Sequence, residues 1–288
     1  MESGGAKQSS QMLENVCFFI RKCIVLLLSA APVPSHVAFI MDGNRRYAKK
    51  LSLEEGHGHR AGHSALMSML KYCYEFGVKY VTIYAFSIDN FKRSPEEVGS
   101  LMHLMQEKIE ELIKEDTTVN RYGIRVYFKG NLDLLSDSVR SAAERAMVAT
   151  ARNSKATLSI CVAYTSTDEI VHAVEQSCEE KWYRINGKSL NSSQNYKHLN
   201  GSDKVDSLIA ITDVDRNMYM ADVPDPDIII RASGETRLSN FLLWQSAKSL
   251  LYSPDSLWPE IGFRHLVWAI LNFQRNARYL KDAKEKET

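Results

Sequence analysis

Short apolar runs that alternate with helix-like segments constrain the fold of this chain more than any other feature. Six runs have the length and the β-branched or aromatic residues of strands: residues 36–40, 80–86, 124–128, 157–163, 227–231 and 249–252. Between them, apolar residues recur at helical spacing, as in 66–76 and 98–113. Alternating strands and helices predict a single-domain α/β fold in which helices flank a mainly parallel sheet.

Local patterns indicate where several helices begin. Ser94 and Ser166 are each followed three residues later by glutamate, the arrangement of a capping box at a helix start. Further helices are expected around 136–153 and over 263–279. Residues 178–224 lose this periodicity and contain many Asn, Ser, Lys and Gly, which predicts a variable insert.

The composition excludes several classes of protein. The net charge is only +1, and no basic run is interleaved with aromatic residues, which argues against a nucleic-acid partner. The five cysteines are widely spaced and include no C-x-x-C pair, so neither a zinc site nor a disulfide framework is indicated. Cysteines of this kind fit a reducing, cytosol-facing compartment.

The N-terminal segment, residues 1–34, is mostly apolar in its later part but contains Arg21 and Lys22. Its uninterrupted apolar stretch is far shorter than the ~20 residues that span a bilayer. Three interpretations remain open: a helix on a membrane surface, which we favour, a helix packed on the protein, or a cleaved signal peptide. The expected organisation is this segment, a main domain over 35–280 and a charged tail over 281–288.

Polar clusters follow the first and the fifth predicted strands. The first cluster is Asp42-Gly43-Asn44-Arg45-Arg46-Tyr47, and the second extends from Arg231 to Asn240. In an open parallel sheet, ligands bind at the carboxyl ends of the strands, so both clusters are expected at one edge. A carboxylate suits a hard cation, and paired arginines fork onto phosphate oxygens. The sequence therefore predicts a site for a magnesium diphosphate.

A third polar cluster, from Ser87 to Arg93, follows the second predicted strand. Ser87, Asn90 and Arg93 lie just before a helix N-terminus, which itself favours anions. Helix capping and solvation are the alternative explanation for these residues.

Two further features leave more than one interpretation open. His57 and His59 flank Gly58 on an expected glycine-rich loop, and His63 follows. These histidines lack the cysteine or carboxylate partners of a metal site. His59 is therefore expected to contact a phosphate or relay a proton, or to be merely solvated. The apolar stripe over 101–113 has the spacing of an ordinary core helix, and the same stripe would suit the wall of an apolar tunnel.

Together, these segments resemble the cis-prenyltransferases, the undecaprenyl and dehydrodolichyl diphosphate synthase family. The resemblance runs in matching order from His36 to about Tyr279, and it is greatest to plant-like eukaryotic catalytic subunits. Its motifs are Asp42-Gly43-Asn44, Gly58-His59, Tyr84-Ala85-Phe86-Ser87, Arg231 to Asn240, Leu242-Leu243-Trp244-Gln245 and Leu257-Trp258-Pro259-Glu260.

The resemblance implies an α/β sheet with a hydrophobic tunnel and an enzyme that requires Mg2+. Such enzymes condense isopentenyl diphosphate repeatedly onto an allylic primer such as farnesyl diphosphate, and each new double bond is cis. The expected product is a long-chain polyprenyl (dehydrodolichyl) diphosphate, the precursor of dolichol for protein glycosylation. The expected location is peripheral, on the cytosolic face of the endoplasmic reticulum membrane.

The resemblance also assigns roles to individual residues. Asp42 would hold the magnesium ion, with His59 close to the reacting groups. Ser87 and Asn90 would assist proton removal from isopentenyl diphosphate. The primer's diphosphate would be framed by Gly43, Asn44, Arg45, Arg46 and Tyr47. The site would be lined by Asp89, Phe91 and Arg93. Isopentenyl diphosphate would be held by Arg231, Arg237, Leu238 and Ser239.

The chain departs from bacterial members of this family at several places. Bacterial members have Gly then Arg-Trp where this chain has Arg45-Arg46-Tyr47, and they have an arginine near Glu55. Leu250 stands where bacterial homodimers have a second metal-holding glutamate. The family's C-terminal Arg-x-Gly motif, which completes the neighbouring subunit's site, has no match in 275–288. A Nogo-B-receptor-like partner subunit is therefore expected to supply it.

Two other functions are weighed against a catalytic subunit. A non-catalytic, isoprenoid-binding scaffold subunit typically lacks the Asp-Gly-Asn and paired-arginine residues that this chain retains. A kinase would need a nucleotide loop, and the chain has no G-x-x-x-x-G-K-[ST] motif. The catalytic interpretation is therefore favoured.

Overall fold

A computed structural model of the protein describes residues 3–114, 117–190 and 208–285. In this part of the chain, six strands form one sheet: β1 His36–Ile40, β2 Tyr80–Ser87, β3 Ile124–Lys129, β4 Ala156–Tyr164, β5 Ile228–Arg231 and β6 Leu250–Tyr252. They lie in the order β3-β4-β2-β1-β5-β6, and every neighbouring pair is parallel. The predicted α/β fold with a mainly parallel sheet is confirmed.

Helices connect and cover the strands. The α-helices of the described residues are α1 Ser3–Leu28, α2 Asn44–Lys50, α3 Glu55–Glu75, α4 Pro95–Leu112, α5 Thr118–Tyr122, α6 Asp137–Ala149, α7 Ser166–Leu190, α8 Ile211–Asn217 and α9 Phe263–Glu285. Short 3-10 helices cover Ile88–Lys92, Leu132–Leu134 and Trp258–Glu260.

β1 lies where the strand order switches from one side of the sheet to the other. The chain passes from β1 to β2 on one side, and β5 returns to pair with β1 on the other side. In open α/β sheets, such a switch point leaves a crevice beyond the carboxyl ends of the strands. The register pairs Ile40 of β1 with both Tyr84 of β2 and Arg231 of β5. The loops after these three strands therefore meet at one edge.

Both faces of the central strands are buried, which explains why β1 is apolar throughout after its first residue. Val37 and Phe39 belong to the larger core, which α3, α4, α6 and α9 complete. Ala38 and Ile40 belong to a smaller core on the opposite face, together with Phe241. Because successive side chains point to opposite faces, β1 contributes to the cores on both sides of the sheet.

α2 and α3 pack closely because α3 carries two glycines on the side that faces Asn44. A Cβ atom at Gly58 would lie 2.2 Å from the backbone oxygen of Asn44, and one at Gly62 would lie 2.3 Å from Asn44 Oδ1. Both distances are far below van der Waals contact. The two glycines therefore allow the start of α2, which carries Asn44, to lie directly against α3.

Gly58→Ala is expected to destabilise the fold by about 1–3 kcal/mol, because the added methyl group overpacks a backbone contact. Gly56→Ala is the matched control, since Gly56 lies on the same helix with open space around it. That control should be neutral or stabilising by up to about 1 kcal/mol. Chemical denaturation measures both changes, and equal stabilities would contradict the tight contact between α2 and α3.

Several helix boundaries differ from the prediction. α3 begins at Glu55, so His57, Gly58 and His59 lie on a helix rather than on a loop. α7 continues to Leu190, and α8 also forms within the predicted insert of 178–224. Residues 191–207 of that insert lie outside the described residues.

Neither predicted capping box is complete. The Ser94 hydroxyl accepts a hydrogen bond from the Glu97 backbone N–H at 3.3 Å, but the Glu97 carboxylate bonds two arginines instead of returning to the cap. At α7, the residue that caps is Thr165, whose hydroxyl accepts from the Asp168 N–H at 3.2 Å. Glu169 is fully buried. Both glutamates therefore serve tertiary contacts.

The N-terminal segment forms α1, and its last turns pack on the protein. Val25 and Leu28 lie against the larger core, and Arg21 forms a salt bridge with Glu75 at 3.1 Å. Gln274 on α9 donates to the backbone oxygen of Leu28 at 2.8 Å. Packing on the protein, the second of the three interpretations, thus applies to one face of α1. Within the described residues, no helix combines the length and apolar character needed to cross a bilayer.

Candidate active site

The rim of the site forms where β1 and β5 end side by side. Asp42 follows β1 by two residues, and Arg231 is the last residue of β5. Arg231 Nη2 donates to Asp42 Oδ2 at 2.8 Å, and Arg46 Nη2 donates to Asp42 Oδ1 at 3.1 Å. Because the register places Ile40 beside Arg231, this contact follows from the strand pairing. The structure therefore brings the first and second polar clusters together.

Arg231 is the buried centre of this rim, with a side chain only 6% exposed. Its Nη1 donates to the backbone oxygen of Arg237 and to Ser239 Oγ, both at 2.6 Å. Partial burial raises the pKa of Asp42, but the hydrogen bonds and charges of Arg231 and Arg46 outweigh that effect and hold the pKa below its usual value. Asp42 is therefore ionised at neutral pH.

The loop after β5 has an uncommon backbone conformation that α7 holds in place. Positive φ angles occur at four non-glycine residues of the loop, Ser233, Ser239, Asn240 and Leu242. The backbone oxygen of Asn240 accepts from Ser166 N–H at 2.8 Å, and its Oδ1 accepts from Thr167 N–H at 3.1 Å. Positive φ angles at non-glycine residues strain the backbone. Such strain persists only where surrounding contacts hold the chain in place, and it often occurs at ligand sites.

Glu169 supports the same loop from within the protein. Its carboxylate accepts hydrogen bonds from the Tyr164 hydroxyl, from Gln245 Nε2 at 3.1 Å and from the Met220 backbone N–H at 3.0 Å. Burial raises the pKa of Glu169, and these hydrogen bonds partly offset the effect. Because Gln245 belongs to the loop after β5, Glu169 joins β4 and α7 to that loop. The sequence had suggested it only as a helix cap.

The segment after β2 forms a short 3-10 helix that caps itself. Asn90 Oδ1 accepts from the Ser87 backbone N–H at 3.0 Å, and Ser87 Oγ accepts from the Asp89 N–H at 3.2 Å. The capping interpretation of the third polar cluster therefore holds for Ser87 and Asn90. Both residues also line the cavity described below, so capping and a role in the site are compatible.

Glu97 on α4 joins two of the arginines predicted to bind phosphate. Its Oε1 accepts from Arg93 Nη1 at 2.6 Å and from Arg45 Nη1 at 3.3 Å. Since Arg45 lies on α2, the carboxylate links α2 to α4 across the site. Both guanidinium groups are therefore already paired with a carboxylate.

A cavity of about 460 Å³ lies beneath the rim, between the sheet and the helices α3 and α4. Predicted site residues line its polar part: Asp42, Asn44, His59, Ser87, Asp89, Asn90, Arg93, Arg231 and Ser239. Its apolar wall includes Leu66, Met67, Ile83, Leu101, Leu104, Met105, Ile109, Leu112, Phe128, Leu158 and Ile160. The stripe over 101–113 therefore lines an apolar cavity, while Met102, Ile109 and Leu112 also belong to the larger core. Both predicted roles of the stripe, core and wall of an apolar space, thus apply in part.

Two polar residues interrupt this apolar wall, His63 and Lys108. Burial lowers the pKa of His63, and the charge of Lys108 lowers it further. His63 Nε2 is buried without a hydrogen-bond partner among the described residues. Lys108 is held by Glu107 at 3.1 Å and by Glu111 at 2.8 Å. Lys108 could have been found from the sequence, because it falls at helical spacing within the stripe.

Seven predicted residues do not line the cavity: Gly43, Arg45, Arg46, Tyr47, Phe91, Arg237 and Leu238. Arg46 still contacts Asp42 and also donates to Ser233 Oγ at 2.7 Å. Gly43 has a φ of 108° and turns the chain from β1 into α2. The Arg237 side chain is 62% exposed and pairs with Glu235. Phe91 packs edge-on against Phe86, and Leu238 packs on the smaller core.

Asp42 is the ionised carboxylate at the rim, and its surroundings can be compared with the needs of a magnesium ion. No cluster of three or more His, Cys, Asp or Glu with metal-binding geometry occurs in the described part of the chain. Mg²⁺ is commonly bound by one or two carboxylates while substrate phosphates complete its shell. An ionised carboxylate flanked by two arginines fits a magnesium diphosphate.

Comparison with known proteins decides the family. The family model for putative undecaprenyl diphosphate synthase matches residues 40–281. The chain belongs to this prenyltransferase family. The predicted membership of the cis-prenyltransferases is thereby confirmed, and so is the prediction that the protein is an enzyme.

Individual relatives support the same family membership. A dehydrodolichyl diphosphate synthase of Solanum lycopersicum is 66% identical, over 99% of this chain and 100% of that protein. A subunit of the dehydrodolichyl diphosphate synthase complex of Homo sapiens is 41% identical, over 90% of this chain and 72% of that protein. The crystal structure of lavandulyl diphosphate synthase from Lavandula x intermedia, in complex with dimethylallyl diphosphate, matches with a TM-score of 0.71 at 27% identity. That match covers 84% of this chain and 95% of that structure.

Proposed function

We propose that this prenyltransferase condenses isopentenyl diphosphate repeatedly onto farnesyl diphosphate and makes a long-chain polyprenyl (dehydrodolichyl) diphosphate with cis double bonds. The observation that carries the proposal is the ionised Asp42, paired with Arg231, at the rim of an apolar cavity. The charged rim suits a diphosphate, and the apolar cavity suits a hydrocarbon chain. The product would serve as the precursor of dolichol for protein glycosylation.

The size of the cavity supports farnesyl diphosphate as the primer. An apolar cavity of roughly 150 Å³ holds one benzene ring, which is roughly 25 Å³ for each carbon. By that measure, the cavity of about 460 Å³ accommodates about 18 carbons. A farnesyl chain fits within this volume, whereas the elongated product exceeds it and would extend beyond this cavity.

The residues of the rim are placed to stabilise a departing diphosphate. Negative charge develops on that group as the allylic carbon bonds to isopentenyl diphosphate, and fixed cationic groups stabilise such charge. We assign Arg45, Arg46 and Arg93 to the primer's diphosphate. Asp42 would hold the magnesium ion with phosphate oxygens, and the bound ion would neutralise charge on the leaving group.

Isopentenyl diphosphate is assigned to the loop after β5. Arg231 is fixed by Asp42 and by Ser239, so its guanidinium needs no reorganisation when a phosphate binds. Arg237, which is exposed and paired with Glu235, is free to turn toward the substrate by exchanging that carboxylate for a phosphate. Leu238 and Ser239 are assigned to the same substrate, isopentenyl diphosphate.

Chain growth also requires the loss of a proton from isopentenyl diphosphate. The amide oxygen of Asn90 already accepts the Ser87 N–H, and an amide is a weak base. We therefore assign Ser87 and Asn90 to positioning the substrate, with the released diphosphate as the final proton acceptor. His59 lines the same cavity, and we assign it a position close to the reacting groups.

A Nogo-B-receptor-like partner subunit, which supplies an Arg-x-Gly motif, is part of the proposal. The Homo sapiens relative is named as a subunit of a complex. The exposed surface at α7 and β6 supports an interface, with five apolar residues each at least 38% exposed: Val171, Val174, Leu243, Trp244 and Leu251. β6 also lies at the edge of the described sheet, where strands are available for pairing.

The first experiment measures incorporation of labelled isopentenyl diphosphate with farnesyl diphosphate and Mg²⁺, for the chain alone and with the partner subunit. We expect the pair to be at least about a hundredfold faster, the order of rate that one missing group of an anion site costs. Full activity of the chain alone would contradict the partner requirement. Inactivity of both samples would contradict the proposed function itself.

The location of the interface can be tested in the same assay. Leu251→Asp places a charge on the exposed surface at β6 and should lower the activity of the paired sample to that of the chain alone. Val148→Asp is the matched control, because Val148 is 76% exposed on α6. It should leave the paired activity unchanged.

The proposed location is peripheral, on the cytosolic face of the endoplasmic reticulum membrane. Its support is the water-insoluble product together with the apolar residues that α1 leaves exposed, such as Phe19 and Leu26. We accordingly assign 1–34 to membrane association and 35–280 to the catalytic domain. Residues 178–224 are proposed as a variable insert and 281–288 as a charged tail.

A further inference from the structure

The outer face of α9 combines aromatic rings with guanidinium groups. Trp268 is 48% exposed and Tyr279 is 74% exposed. Arg264 and Arg275 are also exposed, and the Arg275 guanidinium lies 5.6 Å from the centre of the Trp268 ring. At about 3.6 residues per turn, these four residues fall on one side of the helix. Large exposed aromatic rings on one face indicate an interaction surface.

α9 carries positive charge and no acid until its last turns, where Asp282 and Glu285 occur. Residues 263–280 contain Arg264, Arg275 and Arg278, and they contain no Asp or Glu. Arg278 is exposed as well. This face is therefore complementary to an anionic surface, although the chain as a whole has a net charge of only +1.

The C-terminal end of α1 contacts α9, and α1 adds an apolar stripe. The hydrogen bond between Gln274 and the Leu28 backbone oxygen joins the two helices. Six residues at helical spacing are each at least 49% exposed: Met12, Val16, Phe19, Ile20, Leu26 and Leu27. The sequence contains no acid from Asn15 to Met41. Two adjacent helices thus expose apolar, aromatic and basic side chains together.

A lipid surface fits this chemistry better than a protein partner. Trp and Tyr concentrate at the headgroup level of membranes, and Arg side chains near the surface bind anionic headgroups. The apolar residues of α1 lie on the outside of a helix rather than in a groove, as in helices that insert partway into a membrane surface. The absence of acids along both segments removes the repulsion that anionic lipids would otherwise meet.

We infer that α9 and α1 together form one lipid-binding face. In this arrangement Trp268 and Tyr279 lie at headgroup level, and Arg264, Arg275 and Arg278 bind the phosphates of anionic lipids. The inference deepens the proposed membrane location and rests on it. It adds the last helix of the fold as a second membrane-binding element.

Flotation of the full chain with vesicles tests this inference. The vesicles contain phosphatidylcholine alone or phosphatidylcholine with phosphatidylserine. We expect Arg275→Gln to lower binding to the anionic vesicles by about fivefold, with further loss when Arg264 and Arg278 are also replaced by Gln. Trp268→Ser should lower binding to both kinds of vesicle. Arg152→Gln, on a different exposed surface, is the matched control and should bind like the wild type.

Wild-type vesicle binding by the α9 variants would overturn the inference. It would also be overturned if the variants lost binding to the partner subunit while still binding vesicles, because α9 would then be a protein interface. Elongation activity of the chain with its partner subunit, measured in detergent, separates the two proposals, since the paired variants should match the paired wild type there. An inactive wild-type pair in detergent would contradict the proposed function and leave the vesicle result unaffected.

Discussion

Asp42→Asn is expected to lower the turnover number for prenyl elongation by about a thousandfold, the upper range for loss of one preorganised charge-stabilising group. Asparagine keeps an oxygen for the Arg231 hydrogen bond but removes the negative charge that would hold Mg²⁺. The side chain of Arg231 is only 6% exposed, so it would lose the charged partner of its ion pair. We therefore also expect the free energy of unfolding to fall by about 1–3 kcal/mol.

Steady-state kinetics across a magnesium titration, with a thermal melt of the same samples, measures both effects. Asp133→Asn is the control, because Asp133 is a 93% exposed acid outside the site, and neither turnover nor stability should change. If Asp42→Asn kept turnover within tenfold of the wild type at saturating Mg²⁺, Asp42 would not be the metal-holding group.

The part of this site that could be read from the sequence depends on strand pairing. β1 and β5 are apolar runs because both faces of a central parallel strand are buried, and such runs are recognisable without a structure. The polar residues that follow them had to meet at one edge once the strands were parallel. Asp42 and Arg231 were therefore predicted together, and the structure joins them by a hydrogen bond of 2.8 Å.

Other features could not be read because the same local pattern serves different tertiary ends. Glu97 and Glu169 each stand at the fourth position of a capping box, yet one binds two arginines and the other supports the loop after β5. Gly58 indicates a flexible loop in sequence, whereas in the fold it lets a helix contact Asn44. These residues can be distinguished only by their contacts with residues that are distant in the sequence.

The wall of the cavity shows that apolar residues, too, cannot be assigned from local sequence patterns alone. A stripe such as Leu101, Met105 and Leu112 has one periodicity whether it fills a core or lines a cavity. What distinguishes the two is the space left between α4 and the sheet, and this depends on how α3 packs. The close contact of α2 and α3 through Gly58 and Gly62 is one determinant of that packing.

Arg231→Lys is expected to raise the KM for isopentenyl diphosphate by about a hundredfold, with a smaller effect on the KM for the primer. The guanidinium donates hydrogen bonds to Asp42, to the Arg237 backbone oxygen and to Ser239. A lysine ammonium is a single point and cannot reproduce this fork, so two charge-assisted hydrogen bonds of about 1.5 kcal/mol each would be lost. Arg237→Lys is the comparison, because that side chain is 62% exposed and should cost about tenfold or less.

A double-mutant cycle decides whether Asp42 and Arg231 act as one unit. If the carboxylate serves chiefly to hold Arg231 and a metal ion in register, Asp42→Asn combined with Arg231→Lys should cost clearly less than the sum of the single effects on kcat/KM. Fully additive effects would mean that the two residues act on different substrates independently. The hydrogen bond between them would then be a consequence of strand register rather than a part of the catalytic arrangement.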